Sequence, residues 1–208
     1  MALDMNPAAV SAPVYWSDAC KHLMKKDRVM KRLIPQFGQS CLQSRGDAFM
    51  TLARSVVGQQ ISVKAAQTVW DRFIQLAEPL TPAQVLRLKI DDMRLAGLSA
   101  RKVEYLVDLA LHFDSGAVHV DDWVGMDDEA IIDELVAIRG IGRWTAEMFL
   151  IFHLMRPNVL INGISKCYFS GDVVSRSDAR EVALAWAPYR TVATWYIWRS
   201  LDPLPVSY

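Results

Sequence analysis

Apolar residues recur along this chain at helical spacing. Phe49, Leu52, Ala53 and Val56 follow i, i+3, i+4, i+7, as do Ala66, Val69, Trp70 and Phe73, and again Val103, Leu106, Val107 and Ala110. Side chains so spaced gather on one helical face and need a second face to cover them; no stretch alternates with period two between turn signals. The reading is an all-α fold of about eight to ten helices. Boundary residues agree: Ser62 and Ser99 stand at N-cap positions, Thr81-Pro82 reads as N-cap then N1, and Gly97 closes the short Asp91–Ala96 segment.

With 208 residues, 52% hydrophobic and 22% charged, the chain can bury a core, and disordered or low-complexity classes are excluded. Cys20, Cys41 and Cys167 lie far apart with no C-x-x-C pair, which fits neither a disulfide scaffold nor a zinc or iron–sulfur centre. The longest apolar run, Met148 to Met155, is interrupted by His153 and is too short for a membrane span. A cytoplasmic protein without a membrane anchor is expected. Seven tryptophans are many for this length, and most helical aromatics are core.

Lys and Arg total 23 and Asp and Glu total 23, but the signs are segregated. Residues 21–45 hold seven basic groups against Asp27, residues 104–134 hold ten acids and no base, and residues 139–200 hold eight basic groups against four acids. Two stretches attract polyanions and one repels them, although solvated helix faces would give the same runs.

Leu135 to Ala146 reads as a helix end, a turn carrying Gly140 and Gly142, and a helix start. Both glycines would allow positive φ and bring bare backbone close to a ligand, while Ile141 buries between the helices. The helix starting at Arg143 would point unpaired N–H groups and its positive dipole end at an anion. A plain αα-hairpin could use the same glycines, but the longer pattern L-x-x-I-x-G-I-G-x-x-T-A resembles the helix-hairpin-helix motif that grips a DNA backbone without reading sequence.

The resemblance extends further. Ser55-Val56-Val57-Gly58-Gln59-Gln60-Ile61-Ser62, the hairpin, and Trp186 through Leu201 occur in the order seen in helix-hairpin-helix (HhH-GPD) DNA glycosylases, with greatest similarity to the 3-methyladenine DNA glycosylase II branch that excises alkylated bases. The resemblance implies two helical lobes around a cleft, a glycosylase domain over residues 45–206 preceded by an arm and first helices over 1–44, damaged duplex DNA as partner, and a monomer. It implies DNA contacts at Gln60, Arg139, Gly140, Ile141, Gly142, Arg143 and Thr145. Gln60 would fill the gap left by a flipped nucleotide, though a helix-terminal amide bonded to nearby backbone is its ordinary role. Trp144 and Trp198 would line the base pocket. No cofactor is implied beyond a monovalent cation on the carbonyls of Val136, Ile138 and Gly140.

Trp144 stands where strand-cutting members of that superfamily carry a Schiff-base lysine, so hydrolysis by water is the implied branch. Hydrolysis there relies on an aspartate in a V-L-P-x-x-D segment. The counterpart here reads Val159-Leu160-Ile161-Asn162-Gly163-Ile164-Ser165-Lys166, without proline or carboxylate. The catalytic residue is therefore unassigned; Asp172 and Glu147 are the nearest acids, and activity is expected to be impaired. A non-catalytic binder of alkylation damage is the alternative, and a helical bundle unrelated to DNA the remaining one.

Overall fold

The computed structural model describes residues 12–38, 40–43, 47–159 and 181–201. Their helices are α1 (Trp16–Lys26), α2 (Arg28–Leu33), α3 (Ala48–Gly58), α4 (Val63–Ile74), α5 (Pro82–Arg87), α6 (Ile90–Leu95), α7 (Ala100–Asp114), α8 (Asp128–Val136), α9 (Arg143–Phe152) and α10 (Arg190–Leu201), with a 3-10 turn at Ile34–Phe37. The described residues contain no strand, so the fold is all-α. None of their helices is long and apolar enough to cross a membrane.

The chain divides into two compact units: Arg45–His153, and the residues up to Ser44 together with those from Leu154. In Arg45–His153 most of the three apolar stripes is buried, with Ala66, Val69 and Val107 only partly so. Phe49, Leu52, Ala53 and Val56 are buried, as are Trp70 and Phe73, and Val103, Leu106 and Ala110. Each large side chain so buried contributes about 1.5–3 kcal/mol. Helix α7 packs against α3 and α5, and α8 against α9. The caps read from sequence form: Ser62 accepts from Ala65 N, Thr81 from Gln84 N and Ser99 from Lys102 N. Gly97 follows α6 with φ +104°. Beneath α8, Glu134 accepts from the buried Trp123 indole at 2.9 Å and lies 2.7 Å from His119 Nδ1.

The other unit turns on Asp27. One of its oxygens caps α2 by accepting from Val29 N (2.7 Å) and Met30 N (3.0 Å), and the other accepts from the Trp186 indole at 2.9 Å. Trp16 meets Trp195 of α10 edge to face at 5.3 Å. The sequence predicts one domain over 45–206; among the described residues, those from Leu154 to Val159 and from Glu181 onward fall in one unit with α1 and α2, where Trp186 pairs with Asp27 and Trp195 with Trp16. No local pattern encodes that long-range choice. The N-terminal arm and the segment holding Val159–Lys166 and Asp172 lie outside the described residues, apart from Val159.

Candidate nucleic-acid interface

The turn between α8 and α9 is held from below by Ile138 and Ile141, 1% and 3% exposed, and is closed by Ile141 N–H donating to the Ile138 carbonyl at 3.1 Å. Gly140 has φ +87°, and a Cβ there would lie 2.2–2.7 Å from three ring atoms of Tyr105. Only glycine meets both demands. Gly142 differs from the expectation of positive φ: it is extended, at φ −89°, and open space surrounds the position of its missing Cβ. It is the N-cap of α9, with no side-chain cap. What it supplies is uncovered backbone at a helix start, where dipole and N–H groups favour an anion.

The side chains around that start are unequal. Arg139 is exposed; its N–H donates to Asp108 at 2.8 Å, and its guanidinium makes only a loose 3.5 Å pair with Glu104. Arg143 is held by two carboxylates, donating to Glu129 at 2.9 Å and to Glu147 at 3.0 Å. Its hydrogen bond keeps exposed Glu129 below the usual carboxylate range. Glu147, only 4% exposed, is pushed up by burial despite the same cation. An acid so enclosed is a structural partner of Arg143. Thr145 is buried too, so its side chain is turned from solvent. Trp144 is 51% exposed, whereas Trp16, Trp70, Trp123, Trp186 and Trp195 are buried. Trp198, on α10 in the other unit, is partly exposed.

The α3–α4 loop reaches the hairpin directly. Gln60 stands exposed in the left-handed region at φ 59°, uncommon for a residue with a side chain. Its neighbour Gln59 donates from Nε2 to the Gly140 carbonyl at 2.9 Å. Sequence reasoning missed Gln59 and also the face of α7 that supports both loops. On successive turns, Lys102 Nζ donates to Val57 O at the end of α3 (2.7 Å), the Tyr105 ring abuts Gly140, and Asp108 accepts from Arg139 N. Burial lowers the Lys102 pKa from its ordinary value. The i, i+3, i+6 run Lys-x-x-Tyr-x-x-Asp was the available signal, a polar stripe on an otherwise amphipathic helix. Gln59, Gln60, Ser99, Arg101, Lys102 and Tyr105 line a cleft of about 390 Å³ beside Gly140.

For a monovalent cation the expected donors are neutral carbonyls. Of the three expected carbonyls, that of Ile138 accepts from Ile141 N and that of Gly140 from Gln59 Nε2.

The family model for the HhH-GPD superfamily of base excision DNA repair proteins matches residues 53–147, which include both loops. DNA-3-methyladenine glycosylase 1 of Schizosaccharomyces pombe is 30% identical over 193 residues, covering 86% of this chain and 85% of its own. The chain belongs to the HhH-GPD superfamily. Among solved structures of this superfamily, the DNA-3-methyladenine glycosidase of Bacillus halodurans superposes with a TM-score of 0.81 at 33% identity, covering 90% of this chain and 91% of its own. The S. pombe 3-methyladenine DNA glycosylase in complex with abasic DNA gives 0.74 at 29% identity, covering 92% and 99%. The superfamily match together with these relatives places this protein in the base excision repair 3-methyladenine DNA glycosylase family.

Proposed function

We propose that this protein binds damaged duplex DNA and hydrolyses the N-glycosidic bond of alkylated purines such as 3-methyladenine and 7-methylguanine, leaving the strand uncut. The observation that carries the reading is the tie between the two loops: an uncovered helix start at Gly142 to seat a phosphate, and Gln60 standing out from a loop that Gln59 fastens to Gly140. Phosphate contacts at Arg139 and the hairpin backbone fix the duplex without reading sequence. Gln60 enters the stack where the lesion leaves it, and extrusion costs a few kcal/mol, least for a weakened pair. Trp144, half exposed beside the hairpin, receives the base. An alkylated purine is cationic, so an indole face favours it over a normal base by ~0.5–2 kcal/mol. Trp144 cannot attack C1′, so water is the nucleophile. A cation on the hairpin carbonyls of Val136, Ile138 and Gly140 would add positive charge beside the bound phosphate. The protein acts as an intracellular monomer, one molecule to one lesion.

Losing a fixed carboxylate that stabilises the cationic sugar costs about 10²–10³-fold in rate. The cation-charged leaving group keeps a slow reaction accessible, because departure neutralises it. One observation favours the second reading, a binder without turnover: no acid lies between Glu147 and Asp172. Incubation with methylated duplex DNA and chromatography of the freed bases decides between them. Base release supports hydrolysis, and tight binding to an abasic analogue without release supports the binder.

A further inference from the structure

We propose that the outward faces of α1 and α2 form a second surface for duplex DNA, one that holds phosphates without regard to sequence and belongs to a different unit from the hairpin. The proposal rests on the DNA reading above.

The buried stripe of these helices is Trp16, Ala19, Leu23, Asp27, Met30 and Ile34. On the other sides Lys21, Lys25, Lys26, Arg28, Lys31 and Arg32 are all exposed. Only Lys21 meets an acid among the described residues, Asp18 at 3.3 Å with both side chains 71% exposed, a pair that solvent screens. The remaining acid, Asp27, turns inward and spends both oxygens on α2 and Trp186. Between Ala19 and Gly46 the sequence holds no other acid. The chain sums to zero only because the compensating acids cluster at 104–134, in the other unit.

Helix dipoles explain part of this: Lys25 and Lys26 fall in the last turn of α1, Lys31 and Arg32 in that of α2. The dipoles do not account for Lys21, in the middle of α1, or for Arg28, the first residue of α2, where the positive end of a helix disfavours a cation. The six cations have no Phe, Tyr or Trp among them between Cys20 and Leu33, so the face can meet phosphates but cannot stack bases. Within α1 and α2 no apolar residue is exposed, Val14 ahead of α1 being the nearest, so the face has no row of apolar anchors to seat it in a bilayer, which favours duplex DNA over an anionic membrane.

The test uses the full chain and an undamaged duplex oligonucleotide. Affinity is measured against salt for the wild type, for Lys25→Gln/Lys26→Gln/Lys31→Gln/Arg32→Gln, and for a control, Arg72→Gln/Arg87→Gln/Lys89→Gln, on exposed positions of the other unit. The slope of log K against log salt is expected to become shallower by about 0.9 for each lost phosphate contact, so by roughly 2 to 4 in the quadruple variant, with a change below about 1 in the control. Circular dichroism checks that α1 and α2 persist, and Lys25→Gln/Lys26→Gln alone, with about half the change, serves if the quadruple variant does not fold. An unchanged slope overturns the proposal, as does an equal effect in the control or binding to phosphatidylserine vesicles with the DNA slope intact. A wild type with no salt-dependent affinity for DNA would instead overturn the DNA reading itself.

Discussion

The side-chain amide of Gln59 donates to the main-chain carbonyl of Gly140 at 2.9 Å, across 81 residues of sequence. The bond fixes the loop that presents Gln60 relative to the turn that presents the α9 N-terminus. Replacing Gln59 by Leu is expected to cost only about 0.5–1.5 kcal/mol in stability. Single-turnover base release should fall by roughly ten- to hundred-fold, since small misplacements of positioning groups have effects of that order. Affinity for undamaged duplex should change little, because the α9 seat remains. Urea unfolding, excision kinetics and duplex binding on the same variant separate these outcomes.

The two hairpin glycines should respond in opposite ways. Gly140→Ala forces a Cβ onto the Tyr105 ring at a positive φ, and a loss of about 2–4 kcal/mol is expected in thermal or urea unfolding. Gly142→Asp puts an acceptor at an N-cap that has none and a negative charge at a helix start, so stability should hold or rise by about 0.5–1 kcal/mol. The same carboxylate would repel a phosphate. DNA affinity should therefore drop in a variant that unfolds no sooner than the wild type.

Glu134 predicts an acid limit for the Arg45–His153 unit. Burial opposes its ionisation, but the hydrogen bonds from Trp123 and His119 outweigh that and hold its pKa below the usual 4.5. A depressed folded pKa contributes stability above 4.5 that is lost as pH falls through the folded value. Glu134→Gln should flatten that part of the stability–pH curve. Glu134→Ala, which leaves the buried Trp123 N–H without its acceptor, should cost about 1–3 kcal/mol near neutrality.

Trp144 should matter to selectivity more than to folding, being half exposed. Trp144→Ala is expected to lower the preference for a cationic over a neutral purine by about 2- to 30-fold, the equivalent of one cation–π contact, with little change in melting temperature. Excision measured on methylated and unmodified DNA in competition reads this directly.

Much of this was legible in the sequence, and the boundary is physical. Helical stripes, the Ser62, Thr81 and Ser99 caps and the hairpin are local, set by spacing over a few residues, and all form. Gly140 was legible as a special position; the Tyr105 ring that makes glycine obligatory was not, because it arrives from another helix. Gly142 was read as a conformational glycine and is extended, since sequence alone cannot separate a need for positive φ from a need for bare backbone. Arg139 and Arg143 look equivalent in the motif, yet one is loosely held and the other is bound by Glu129 and Glu147, a difference decided by α8 and α9 packing. The choice of Trp16 and Asp27 as partners for Trp195 and Trp186 likewise depends on contacts far apart in the chain.

The most direct measurement of the central claim is the incubation of this protein with methylated duplex DNA, followed by separation of free bases and of the DNA strands under denaturing conditions. The account predicts free 3-methyladenine and 7-methylguanine, an intact strand that breaks only on alkaline treatment of the abasic site, and a rate that rises by about 10²–10³-fold when a P-x-x-D segment is inserted after Leu160. No freed base under conditions where the protein saturates the DNA would contradict it, as would strand cleavage with a borohydride-trappable enzyme–DNA adduct.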